Sequence, residues 1–248
     1  MKRIGIIGGS ALEKISGLKN RREDLFETHY GIPSAPLIIG ELNGVELVFL
    51  NRHGQEHNIP PHLINYQANV AALKMLEVDV VIGVASVGGI TSSMMPGAIV
   101  VPDQLIDYSY GRDHSLYYRD FTMDKHIEFT EPYAGSARKL LLDACKSVGV
   151  TVVDGGVYGV TQGPRLETAA EIRRLERDGC DLVGMTGMPE AGLAREMGLP
   201  YACLALVVNW AAGKMQGNIL DQAHEYIAKV QTDALAIVQV LPTVLKTV

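Results

Sequence analysis

A layered α/β fold, a single domain with a mixed, largely parallel β-sheet flanked by helices, is what this 248-residue sequence predicts. Short β-rich runs alternate along the chain with amphipathic helical ones, the order that builds parallel sheets under helices. Several strand candidates are almost continuously apolar, as strands covered on both faces are. Glycine clusters stand where strand candidates end. Composition agrees, since 47% apolar and 20% charged residues are globular values. The length suits one domain over residues 1–248, without repeat, low-complexity linker or composition break.

The first strand is expected over residues 3–7. Met1-Lys2-Arg3 ahead of it resembles the start of a leader, but the apolar run is short and glycine-broken. Glu13 and Lys14 then follow with no small-residue cleavage site. Strands over 37–40 and 45–50 come next, then a helix over 63–76. A strand over 78–85 opens into residues 80–102, a stretch without charge and of membrane-spanning length. Ten of its 23 residues are Gly, Ser, Thr or Pro, which reads instead as strand, tight turn and a strand over 98–101. Residues 107–130, rich in Tyr, His and Arg, form the longest irregular segment, and loops of that length are usually functional.

A helix over 136–148 and a strand over 151–160 follow. In the helix over 168–177, Ala169, Ile172 and Leu175 share one face, while Glu171, Arg173, Arg174 and Arg177 cover the other. Strands over 181–185 and 201–208 enclose a helix over 189–197, and a last helix covers 222–240. Pro189 at a helix start, and Gly179 and Gly198 after helix ends, mark the boundaries.

The charge balance, 22 − 28 = −6, shows no extended basic surface for nucleic acid or an anionic membrane. Any basic cluster is therefore a local site. Cys145, Cys180 and Cys203 lie far apart without a CxxC pair, and the odd count suits buried thiols in a reducing cytosol. A soluble, cytoplasmic protein is expected.

The chemistry-bearing motifs sit at strand ends. Gly8-Gly9-Ser10 follows the first strand, where backbone N–H groups and a hydroxyl can meet an anion. A structural turn explains it equally well, and neither the dinucleotide fingerprint nor the P-loop spacing is present. In Asn51-Arg52-His53-Gly54, Arg52 offers a fork of donors suited to phosphate and His53 adds another. The bland reading is a charged surface turn. His53, His57 and His62 raise a metal site, but HExxH is absent and Glu56 has no partnering cluster, so none is expected.

Ala85-Ser86-Val87-Gly88-Gly89 occupies a strand's carboxyl end, where open α/β sheets place ligands, or is a crossover turn. Met185-Thr186-Gly187-Met188-Pro189-Glu190 runs from strand to helix, and that helix start could aid an anion. In Gly163-Pro164-Arg165-Leu166-Glu167 the plain role of Glu167 is a first-turn acid. Asn209, closing the run 204–208, would plainly be a turn residue.

Taken together, GIIGGSAL, NRHGQEHNIPPHLINYQANVAALK, ASVGGI, EPY, GPRLETAAE, GMTGMPEAGLAREMGLPYA and the Asn209 segment resemble, in order and over nearly the whole chain, the purine nucleoside phosphorylase and methylthioadenosine phosphorylase family. The resemblance implies a homotrimeric pentosyltransferase of purine salvage that splits a purine nucleoside with inorganic phosphate. It implies phosphate as co-substrate and no metal or organic cofactor. Carried over by motif, Ser10, Arg52, His53, Ala85, Ser86 and Thr186 would hold phosphate, and Asn209, Glu167 and His53 would serve catalysis. Val87, Gly88, Leu166, Met185 and Ala211 would line the nucleoside, with Met185 against the ribose. His126 would reach the neighbouring subunit's 5′ pocket.

The methylthioadenosine branch carries Ser at the position of Glu167, Asp at Asn209 and Asp at Ala211. Glu167 and Asn209 are instead the pair of 6-oxopurine enzymes. Glu167 can accept from a purine N1–H, and the Asn209 amide can donate to O6 or N7. The block around NRHGQEHNIPP and NYQAN resembles the methylthio branch, whereas His224-Glu225 resembles inosine enzymes, whose His contacts a 5′-hydroxyl. The expected substrate is the 5′-methylthio nucleoside of hypoxanthine. An inosine/guanosine phosphorylase, a methylthioadenosine phosphorylase and, in another class, a non-catalytic nucleoside-binding protein stay open.

Overall fold

The computed structural model describes residues 1–9, 15–118 and 120–246, the Gln222 side chain excepted. Eleven strands form one sheet among them. They are β1 (Arg3–Gly8), β2 (Lys19–Asp24), β3 (Leu37–Leu42), β4 (Val45–Asn51), β5 (Val80–Gly89), β6 (Ile99–Val101), β7 (Gln104–Asp107), β8 (Val152–Asp154), β9 (Val157–Val160), β10 (Leu182–Gly184) and β11 (Tyr201–Trp210). The helices are α1 (Tyr66–Met75), α2 (Gly135–Ser147), α3 (Ala169–Arg177), α4 (Glu190–Glu196) and α5 (Ile219–Leu245).

The sheet forks at β5. Its first half pairs in parallel with β1, its last two residues pair antiparallel with β10, and β11 runs parallel along most of its length. One branch continues through β10, β9 and β7, and the other through β11, β6 and β8. Strand parity sorts the core onto two faces. Ile82, Val84, Leu204 and Leu206 pack toward α2 and α5. Val81, Ala85, Cys203 and Ala205 pack toward α1 and α4. Strands buried on both faces are why the runs over 80–89 and 201–208 read as continuously apolar.

Several elements differ from expectation. The strand expected over 151–160 is two strands, broken at Gly155 and Gly156, whose φ values of +101° and +115° favour glycine. β2 was not expected, because KNRRED carries no apolar residue and is almost wholly exposed at the sheet edge. β7 adds an edge strand at the start of the long 107–130 segment. The helix expected from residue 63 begins at Tyr66 because the Asn65 side chain accepts from the Ala68 N–H and caps it. No helix of the described residues is long and apolar enough to cross a membrane.

Candidate active site

β4, β1 and β5 are parallel neighbours, so their carboxyl ends open together. Gly9 after β1, Arg52 and His53 after β4, and Ala85-Ser86 within β5 line a cavity of about 570 Å³. Thr186, from the turn between β10 and α4, joins them. The wall formed by β11 and α5 is mostly apolar, with Leu206, Val208, Ala223, Ile227 and Ala234, and carries Gln231 as its polar side chain. Five of the residues expected at a phosphate, Arg52, His53, Ala85, Ser86 and Thr186, thus meet in one place. The sixth, Ser10, lies outside the described residues.

Most of the Arg52 fork is engaged by the protein itself. Its Nε donates to Glu190 Oε2 at 2.6 Å and its Nη2 to Glu190 Oε1 at 2.8 Å. Nη2 also donates to the Ile7 carbonyl, and Nη1 to the Val84 carbonyl at 3.0 Å. One of the two Nη1 hydrogens is left without a partner among the described residues. Both side chains are buried, Arg52 to 2% exposure and Glu190 to 0%. Burial penalises the Arg52 cation, but the adjacent Glu190 carboxylate more than reverses this and raises its pKa. Tyr201 Oη donates to Glu190 Oε1 at 2.8 Å. Gly83 makes room for that bond, because a Cβ there would lie 2.0 Å from the Tyr201 hydroxyl.

His53 Nδ1 lies 2.9 Å from the Ile59 carbonyl, which makes Nδ1 the protonated nitrogen of the neutral ring. Nε2 is then an acceptor. Burial lowers the His53 pKa to about 4, against the Ile59 contact and helped by Arg52 and His57. His57 packs on His53 with ring centroids 4.7 Å apart.

Glu167 stands apart from this cavity, half-buried at the edge of a second one of about 470 Å³. Thr161 Oγ1 donates to its Oε1 at 2.5 Å. Leu166 beside it is 44% exposed. A bulge in β11 between Val207 and Asn209 brings Asn209 opposite Gly88. A Cβ on Gly88 would lie 3.1 Å from Asn209 Nδ2, so the small residue leaves the amide its place. Asn209 Nδ2 donates to the Trp210 carbonyl at 2.8 Å. Val87 and Ala211 are buried, Ala211 in a small apolar cluster with Ile90, Ile172 and Leu175. Met185 packs against Gly163, where a Cβ would approach its Sδ to 2.6 Å.

His126 and His224 are not drawn in. His126 is exposed and edge-on to Phe121 at 4.8 Å between centroids. His224 is exposed on α5, while Ala223 and Ile227 of that helix face the larger cavity.

The phosphorylase superfamily model matches residues 3–241. The chain belongs to that superfamily. It is 52% identical over 229 residues to a probable S-methyl-5′-thioinosine phosphorylase of Xylella fastidiosa, covering 92% of this chain and 96% of that one. It is 40% identical over 245 residues to a 6-oxopurine nucleoside phosphorylase of Pyrococcus furiosus, covering 96% and 91%. Among solved structures, a methylthioadenosine phosphorylase from an Antarctic soil metagenomic library superposes with a TM-score of 0.93 at 33% identity, covering 99% of this chain and 87% of that one. A Schistosoma mansoni methylthioadenosine phosphorylase bound to adenine gives 0.93 at 29% identity, covering 100% and 93%. This phosphorylase-superfamily chain also holds residues that motif reading passed over. Glu190 was read only as a helix start, although a buried Arg needs a carboxylate near it. Arg112, buried to 8% exposure, donates to the carbonyls of Thr161, Gln162, Met185 and Met188 and so ties the two cavities' loops together. Its only signal was membership of the long 107–130 segment.

Proposed function

We propose that this chain splits S-methyl-5′-thioinosine with inorganic phosphate, releasing hypoxanthine and 5-methylthioribose 1-phosphate. The observation that carries the reading is the division of the site. One cavity has a polar end of Arg52, His53, Ser86 and Thr186 and a mostly apolar wall of Leu206, Val208, Ala223 and Ile227, and a carboxylate acceptor, Glu167, lies beyond it. The polar end takes phosphate. The apolar wall takes a methylthio group at low cost, whereas a 5′-hydroxyl there would lose its hydrogen bonds to water.

Breaking the glycosidic bond builds oxocarbenium character on the sugar, as in glycoside hydrolysis. A phosphate dianion held beside it stabilises that cation and then captures it, so the C–N electron pair leaves with the purine and a phosphate oxygen forms the new C–O bond. The protein's task is positioning and fixed dipoles. Because the Arg52 charge is balanced by Glu190, Arg52 serves the anion through its remaining Nη1 hydrogen more than through net charge. His53 Nε2 accepts a hydrogen bond from the hydroxyl of monohydrogen phosphate, and the proton that phosphate gives up balances the one the departing purine takes, so neutral hypoxanthine is released. Met185 packs on the ribose, and Val87, Gly88, Leu166 and Ala211 shape the base site. Glu167 accepts from purine N1–H, and the Asn209 amide turns from Trp210 to donate to the leaving base. The reaction as written needs phosphate and nucleoside alone.

A homotrimeric, cytoplasmic enzyme goes with this reading. Tyr110 and Met123 of the 107–130 segment are 71% and 82% exposed, apolar surface that a second copy would cover, and His126 there would reach a neighbour's 5′ pocket. The deciding experiment incubates purified protein and phosphate with methylthioinosine, methylthioadenosine or inosine in parallel. Hypoxanthine from the first with little adenine from the second is expected. Adenine as the main product would overturn the base assignment, and equal turnover of inosine would overturn the 5′ assignment.

A further inference from the structure

Thr161, the residue after β9, is fixed at every polar atom. Its N–H donates to the Gly184 carbonyl at 2.8 Å, and its own carbonyl accepts from Arg112 Nη2 at 3.1 Å. Its hydroxyl lies 2.5 Å from Glu167 Oε1 and 3.3 Å from the Gly184 carbonyl. A hydroxyl has one proton to give. The Gly184 carbonyl already holds the Thr161 N–H, and bonds to a carboxylate are the shorter and stronger kind, so the proton goes to Glu167.

We infer that Thr161 is the residue that makes the base site selective for 6-oxopurines, acting through Glu167. The inference rests on the proposal that Glu167 contacts the base. A carboxylate left alone can turn about its last torsion, which is broad, so that neither oxygen is fixed at the base edge. With Oε1 engaged as an acceptor of the Thr161 proton, the carboxyl is oriented and Oε2, which has no hydrogen-bond partner among the described residues, is presented as an acceptor. Only a base with a proton on N1 then completes the pair. Arg112 contributes by holding the Thr161 carbonyl, which sets the direction of the hydroxyl.

The test compares Thr161→Val, nearly the same shape without the hydroxyl, with Thr161→Ser and Glu167→Gln. For each, kcat/KM is measured on methylthioinosine and methylthioadenosine, together with KM for phosphate. Thr161→Val is expected to lower the preference for the 6-oxo nucleoside about tenfold, the value of one hydrogen bond to a charged group. Phosphate KM should stay unchanged, and Thr161→Ser should restore the preference. A merely structural loss would lower both activities together and leave their ratio alone. An unchanged ratio in Thr161→Val, with a shifted one in Glu167→Gln, overturns the role of Thr161 and leaves the base contact standing. An unchanged ratio in both overturns the base contact as well. Should Thr161→Val not fold, Thr161→Ala serves the same comparison.

Discussion

The two ends of the site are built differently. At the end proposed for phosphate, Arg52 and Glu190 are buried, bonded to each other and satisfied by carbonyls of β1 and β5 and by Tyr201. At the base end Glu167 and Asn209 are half-exposed, and the segment carrying Glu167 is steadied by surface contacts such as the Arg165–Glu171 pair. An anion common to every turnover can be met by a site made inseparable from the core. A preference between bases sits best on side chains that can change without unfolding the protein. Stability and phosphate handling should therefore move together, and base choice should move alone.

The largest effect expected is on that first coupling. Glu190→Gln removes the only carboxylate paired with a buried guanidinium among the described residues, and breaking such a pair costs about 3–5 kcal/mol. For a chain of this size that is a fall in Tm of about 6–20 °C, read by calorimetry. Glu167→Gln, at the half-exposed end, should move Tm by less than about 2 °C. Similar shifts from the two variants would erase the distinction between the ends.

Next comes the switch of base. Glu167→Ser combined with Asn209→Asp should move preference toward the 6-amino nucleoside by about 10²-fold or more, since sites built around one hydrogen-bonding edge reject the opposite one strongly. Competing the two nucleosides for limiting enzyme measures it directly, and a ratio equal to wild type would remove both residues from the base contact. A smaller change is expected from Thr186→Ala. Losing one neutral donor to phosphate should raise phosphate KM about tenfold or less, with nucleoside KM unaltered. A rise in nucleoside KM alone would place Thr186 elsewhere.

The same division governs what the amino-acid sequence disclosed. The interior strands were legible because burial on both faces leaves uninterrupted apolar runs, and the strand-end turns were legible because glycines cluster there. β2 and β7 were not, since KNRRED and QLID take their pairing from neighbours on the sheet edge rather than from any apolar alternation. Arg52 and His53 were found by their position after β4, yet the turning of the Arg52 fork onto Glu190 depends on α4, 138 positions away. Thr161 bonds the Glu167 side chain through its hydroxyl, and Arg112 bonds backbone carbonyls across the fold through its guanidinium; such bonds leave no periodicity to read.

The last effect expected is confined to acid pH and belongs to His53, and it sharpens the contrast from the phosphate side. Its pKa falls from 6.5 to about 4, chiefly through burial. Between those values the unfolded chain holds a proton that the folded chain does not, so stability from this group is complete above pH 6.5 and is lost as pH drops toward 4. His53→Asn, which has no such proton to take up, should lose less Tm than the parent between pH 7 and pH 4.5. Bound phosphate should narrow the difference, because an anion beside the ring favours its protonated form. Parallel Tm-against-pH curves for the two proteins would show that His53 titrates as it does in water, and the phosphate end would then be as open as the base end.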